Sequence, residues 1–148
     1  MNDVHWGKFV LGALIVTAIC FVSDGFLHQR LIHDQWLELS AQLGITIRDH
    51  AGWKMVYFLV FEAGRGFLTM YVYVLLRPRL GASAKTAAFA GVVAWVTYSL
   101  TGPAQFIPLG FFSESLWISA ALYQLVFSIV AAIAGAAPYG ERAATASH

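Results

Sequence analysis

Four apolar runs, at about residues 9–27, 53–76, 86–101 and 116–137, alternate along the chain with shorter polar stretches. Each approaches the roughly 20 residues a helix needs to cross a hydrocarbon core of about 30 Å. None alternates with the two-residue period of a half-buried strand. In lipid a backbone must satisfy its own hydrogen bonds, so runs of this length predict helices. The pattern therefore predicts an all-α integral membrane four-helix bundle, a single transmembrane domain over residues 1–148 with a flexible tail at 139–148. The third run is the shortest and is rich in alanine and hydroxyl residues.

Punctuation agrees with this division. Pro78 follows the second run, Gly102-Pro103 and Pro108 separate the third from the fourth, and Pro138 follows the last. Trp6, Trp53 and Trp117 sit near run ends, where an amphipathic ring favours the headgroup region, whereas Trp95 is expected to pack inside the bundle. The first run follows Lys8 as a signal peptide would. No small-x-small cleavage site comes after it, and Thr17-Ala18-Ile19-Cys20 places isoleucine where a lipoprotein signal needs a small residue. It reads as an uncleaved first helix.

The connection at 28–52 carries a pattern of its own. Ile32, Trp36, Leu39 and Leu43 recur at helical spacing, with Glu38 and Gln42 off that stripe. A short amphipathic helix at the outer membrane boundary is expected, with Asp34 as its cap. The same stripe could instead close the end of the bundle or face a partner.

Basic residues set the expected orientation. Arg77, Arg79 and Lys85 lie between the second and third runs, while the connection from third to fourth has no basic residue and carries Glu114. By the positive-inside rule the former is cytoplasmic, which puts both termini inside, with Lys8 and Arg142, and residues 28–52 outside. Arg30, Arg48 and Lys54 moderate that bias. Arg77-Pro78-Arg79 reads as a stop-transfer anchor, with anionic lipid contact as the alternative.

Composition strengthens the membrane reading. Only 11% of the 148 residues are charged and 59% are hydrophobic, with a mean hydropathy of +0.67. A water-facing domain carries about 25% charged residues. The net charge of +1 and the lack of any basic run exclude a nucleic-acid partner. A single cysteine, Cys20, excludes an intrachain disulfide and a Cys-x-x-Cys redox pair, and reads as a small buried apolar group.

Against that apolar background the charged residues inside the runs stand out. Glu62 and Arg65, in Leu59-Val60-Phe61-Glu62-Ala63-Gly64-Arg65-Gly66-Phe67-Leu68, lie about 13 Å and 18 Å below the outer end of the second helix at about 1.5 Å per residue. A lone charge there costs about 2.5–3.5 kcal/mol on insertion scales. Three residues apart, the two share a helix face and can offset one another. Gly64 and Gly66 leave room for a neighbouring helix. Asp24 and, one turn on, His28 occupy the outer end of the first helix, Tyr98 that of the third, and Gln124 falls at nearly the depth of Glu62. Asp24, His28, Glu62, Arg65, Tyr98 and Gln124 are thus expected to converge on one interior polar cluster. Two acids against one base leave a negative charge over, with Asp24 beside His28 as the expected titrating site.

Chemistry beyond that cluster is thin. Asp24-x3-His28 offers two metal ligands on one face, with His33, Asp34 and His50 nearby, but no His-x3-His or His-Glu-x2-His appears. No histidine falls at mid-membrane for a bis-histidine haem. Nucleophile elbows and phosphate loops are absent from the sequence. No enzyme activity, metal or other cofactor is expected. Ala87-x3-Gly91 and Ala131-x3-Gly135 permit close helix approach within the bundle or in a homo-oligomer. No internal duplication suggests an inverted-repeat transporter.

Asp24-Gly25-Phe26-Leu27-His28, Trp36, Glu62 and the segment from Tyr98-Ser99-Leu100-Thr101-Gly102-Pro103 through Pro108 together carry a resemblance. On these residues the chain resembles small four-helix bacterial inner-membrane proteins of unknown function. That resemblance implies a four-helix bundle and no established activity; Arg65 departs from the pattern. The expected role is a non-enzymatic accessory or sensing component, in contact with the lipid bilayer and with a membrane-protein partner or further copies of itself. The alternative is a proton-coupled small-solute carrier or channel-forming oligomer.

Overall fold

The computed structural model describes residues 5–44, 55–111 and 113–139, and these residues are predominantly helical, with no strand among them. Helix α1 spans Trp6–Phe26 and runs on as a wider π-helical turn, Leu27–Leu31; α2 spans His33–Gln42 and α3 Met55–Leu80. Helix α4, Ala84–Trp95, also widens into a π-helical segment, Val96–Thr101, followed by the single turn α5, Gly102–Ala104. Helix α6 spans Glu114–Ala136 and tightens into a 3₁₀ turn, Ala137–Tyr139. Trp53, Lys54, Arg48, His50, Arg142 and the tail beyond residue 139 lie outside the described residues.

Three helical stretches, Trp6–Leu31, Met55–Leu80 and Glu114–Tyr139, are each long and apolar enough to cross a membrane. Their outward faces bear large apolar side chains such as Leu14, Val22, Phe58, Phe67, Leu122 and Val126. Helix α4 is shorter. Its twelve α-helical and six π-helical residues rise at most about 27 Å at 1.5 Å per residue. Helix α1 packs against α3 and α6, and α4 packs against the same two from the opposite side.

Local chemistry explains the ends. Ser83 and Ser113 cap α4 and α6 by accepting the amides of Thr86 at 3.1 Å and Leu116 at 3.2 Å. Helix α3 does not stop before Pro78 as the sequence suggests. It carries Pro78 in its last turn, where the carbonyls are losing their partners in any case, and ends two residues later. Gly81, at φ +81, closes it by donating its amide to the Arg77 carbonyl at 2.9 Å. Asp34 does not cap α2 either. The Ile32 amide bonds back to Leu27 at 3.0 Å, so the chain passes from α1 into α2 with no loop between, and Asp34 lies inside the first turn. Its negative charge there still favours the positive end of the helix.

Ile32, Trp36 and Leu39 of the apolar stripe turn toward Leu27, Leu116 and Tyr123, closing one end of α1 and α6, while Leu43 stays exposed. At the opposite end Tyr139 donates to the His5 carbonyl at 3.2 Å, packs edge-on to Tyr73 and lies under the Arg77 guanidinium. Between the two ends the helices approach closely. A Cβ on Gly12 would strike the Gly135 carbonyl and Met70, and one on Gly135 would strike Val16. Gly91 meets Ser128 and Ala132 of α6 in the same way. The small-residue spacings of the third and fourth runs are therefore consumed inside the molecule. Cys20 lies fully buried in the same apolar core.

Candidate functional site

Arg65 is the node of the site. It is 1% exposed, and its guanidinium reaches three helices. Nη1 donates to Asp24 Oδ2 of α1 at 3.0 Å and lies 3.4 Å from Glu62 Oε2 on its own helix. Nη2 donates to the Ser128 hydroxyl of α6. Gln124 Nε2 donates to the same Asp24 Oδ2 at 2.8 Å, and the Ser128 hydroxyl donates to the Gln124 main-chain carbonyl at 2.6 Å. Glu62 is 4% and Asp24 8% exposed.

The helical period builds this arrangement. Glu62, Arg65 and Thr69 follow at intervals of three and four and form the buried face of α3, with the Thr69 hydroxyl bonded to the Arg65 carbonyl at 2.8 Å. Gln124 and Ser128 are four apart on α6, so both meet the same neighbours. On α1, Thr17 supports the layer by donating to the Ala13 carbonyl at 2.8 Å and lying 3.3 Å from the Glu62 carbonyl. Gly66 backs onto this same Thr17 and Ala13, which brings α1 and α3 together at the level of the node. In an apolar interior each of these bonds is stronger than in water, and each broken one is more costly.

Four of the six residues expected to converge do so: Asp24, Glu62, Arg65 and Gln124. Tyr98 and His28 are placed otherwise. The π-helical segment Val96–Thr101 inserts one residue into its turn and shifts the register, so Ser99 is buried and Tyr98 is turned aside. The Tyr98 ring packs edge-on to Phe61, and its hydroxyl fills the space above Gly64. His28 turns to α2, where its Nδ1 accepts the Trp36 indole proton at 2.9 Å; the imidazole therefore carries its own proton on Nε2. Trp95 donates to the Ala121 carbonyl at 2.8 Å, and Trp117 to the Leu100 carbonyl at 3.1 Å, clamping α4 and α6 together.

Ser128, Ser23 and Thr17 belong to the site although the sequence did not single them out. For Ser128 a signal existed in its spacing of four from Gln124. Serine is so common in membrane helices that the spacing stands out only once Arg65 is known to face it. Ser23 donates to the Cys20 carbonyl at 3.1 Å and stands 3.5 Å from Asp24 Oδ1.

Among the described residues no three histidine, cysteine, aspartate or glutamate side chains come together as metal ligands. Asp24 is engaged by Arg65 and Gln124, and His33 lies exposed on α2. Comparison with protein-family models, with curated proteins and with solved structures finds no match to this chain.

Proposed function

We propose that the chain is an integral protein of a bacterial inner membrane, a four-helix bundle with α1, α3, α4 and α6 as spans and both termini cytoplasmic. Its role is non-enzymatic: an accessory or sensing component, in which a charged node fixes the register of the spans and thereby the outer surface offered to a membrane-protein partner or a second copy. One observation carries this reading. Arg65, fully shielded, bonds α1, α3 and α6 at once, and an intramembrane charge of that kind is retained only where it is paired and useful. The apolar outward faces support the lipid setting. The distribution of Arg77, Arg79 and Lys85 supports the orientation. The shortness of α4 is compatible with a span whose ends are completed by the adjoining turns.

The second reading, a proton-coupled small-solute carrier or channel-forming oligomer, is favoured by two carboxyl groups on one guanidinium nitrogen. Two measurements test the proposal, the first its topology and the second its role against the alternative. In a Cys20→Ser background, Ala82→Cys should react with an impermeant maleimide only from the cytoplasmic side, and Leu109→Cys only from outside. Affinity capture from native membranes in mild detergent should return a second component at fixed stoichiometry. Reaction of both cysteines from one side overturns the topology. A protein recovered alone, whose vesicles take up a solute along a pH gradient, overturns the accessory role in favour of transport.

A further inference from the structure

The donors around the node are unequally shared between its two acids. Asp24 Oδ2 accepts from both Arg65 Nη1 at 3.0 Å and Gln124 Nε2 at 2.8 Å, and its Oδ1 has the Ser23 hydroxyl 3.5 Å away. Glu62 has the longer Arg65 contact, 3.4 Å, from the nitrogen already serving Asp24, and its carboxyl group stands within hydrogen-bonding reach of the Asp24 carboxylate, to which a protonated Glu62 can donate. Charge is unequal as well. Asp24, Glu62 and Arg65 all ionised would leave one negative charge in a place shielded from water, where an unpaired charge costs several kcal/mol. One proton restores neutrality, and the hydrogen bonds decide which oxygen carries it. A carboxylate gathers donors, whereas a neutral acid has fewer to attract.

We propose that Glu62 is a proton-binding site, its carboxyl group holding one exchangeable proton while Asp24 stays ionised against Arg65 and Gln124. The Asp24–Arg65 pair is then neutral and permanent, and Glu62 is the variable member. The carboxylate left when that proton is released has a donor waiting in the geometry. Arg65 Nε is buried and without an acceptor, and it lies on the same helix one turn from Glu62, so the carboxylate formed on deprotonation meets a donor that the protonated form leaves idle. The groups within electrostatic reach of Glu62 are Asp24 and the Cys20 thiol from α1 and Arg65 from α3. Helix α6 contributes uncharged Gln124 and Ser128 to the node, with Tyr123 near Asp24, and His28 approaches Asp24 from the end of α1. From the α4 segment the Tyr98 hydroxyl stands above Gly64, and Ser99 of the same segment is buried and uncharged. No second cation stands among them to neutralise two carboxylates.

This inference rests on the reading that α1, α3 and α6 lie in hydrocarbon, and its test is separate from the labelling that probes that reading. The full chain, reconstituted in phosphatidylcholine vesicles, is examined by infrared spectroscopy at neutral pH. The expected result is one carbonyl band of a protonated carboxylic acid, shifted by exchange into heavy water and lost as pH rises in a single-proton step. The band should vanish in Glu62→Gln and persist in Glu114→Gln, whose acid lies at the exposed start of α6. Glu62→Gln, the neutral isostere of the protonated acid, should keep its helical circular dichroism and melt within a degree or two of the parent at neutral pH. A band lost in Asp24→Asn but kept in Glu62→Gln would assign the proton to the other acid and overturn the proposal. So would the absence of any such band in the parent protein, or failure of Glu62→Gln to fold. A chain that labels as membrane-spanning yet shows no band loses the proton site alone.

Discussion

Around Gly12, Gly135 and Met70 the helices meet backbone against side chain, while about three turns further along α1 they meet through Asp24, Arg65, Gln124 and Ser128. The two regions face the same difficulty. In hydrocarbon, apolar side chains gain nothing by turning inward, so helices associate by close packing or by hydrogen bonds that lipid cannot offer. The glycine end uses the first means and is tolerant of charge state. The charged end uses the second and ties three helices through the bonds of Arg65 and Asp24. A molecule with both has a close-packed clamp at one end and an ionic one at the other.

The sharpest way to break this comparison is to remove the cation. Arg65→Met leaves Asp24, Glu62 and Ser128 without their partner and should cost about 3–5 kcal/mol, as for other buried pairs deprived of one member. Thermal unfolding in detergent, followed by helical circular dichroism, measures it. Adding Asp24→Asn and Glu62→Gln to the same chain should recover most of the loss, because the damage is an uncompensated charge and not a missing contact. Equal losses with and without the added changes would deny the charged end its role.

At the other end, Gly135→Leu should cost about 1–3 kcal/mol, since the added side chain strikes the Gly12 carbonyl and Val16 and the two helices must separate. Gly7→Leu, where a Cβ meets nothing within 4 Å, should change stability by less than about 0.5 kcal/mol. The same unfolding assay compares them, and similar losses from both would refute close packing as the clamp.

The smallest effect distinguishes members of the charged region from neighbours. Gln124→Leu removes a donor from Asp24 and should cost about 0.6–2 kcal/mol, the range for interhelical hydrogen bonds in membranes. Tyr98→Phe keeps the edge-on packing against Phe61 and should cost under about 0.5 kcal/mol. A larger loss for Tyr98→Phe than for Gln124→Leu would return that hydroxyl to the network.

The amino-acid order alone determined the helical class, three of the apolar stretches to within a few residues, and the meeting of Asp24, Glu62, Arg65 and Gln124. Those features follow from apolar run length, from the 3.6-residue period and from the cost of stranding a charge in lipid, all of which are local or one-dimensional. Tertiary structure decided the rest. Whether the Asp24 charge is met by Arg65 or by His28 depends on which side chains reach it across helices, and the capture of His28 by Trp36 came from the unbroken passage of α1 into α2. Tyr98 left the cluster because a π-helical segment rotated it, and Ser128 entered because its helix lies against Arg65. Sequence periodicity assigns a residue to a face of its own helix; only the packed neighbours determine what that face meets.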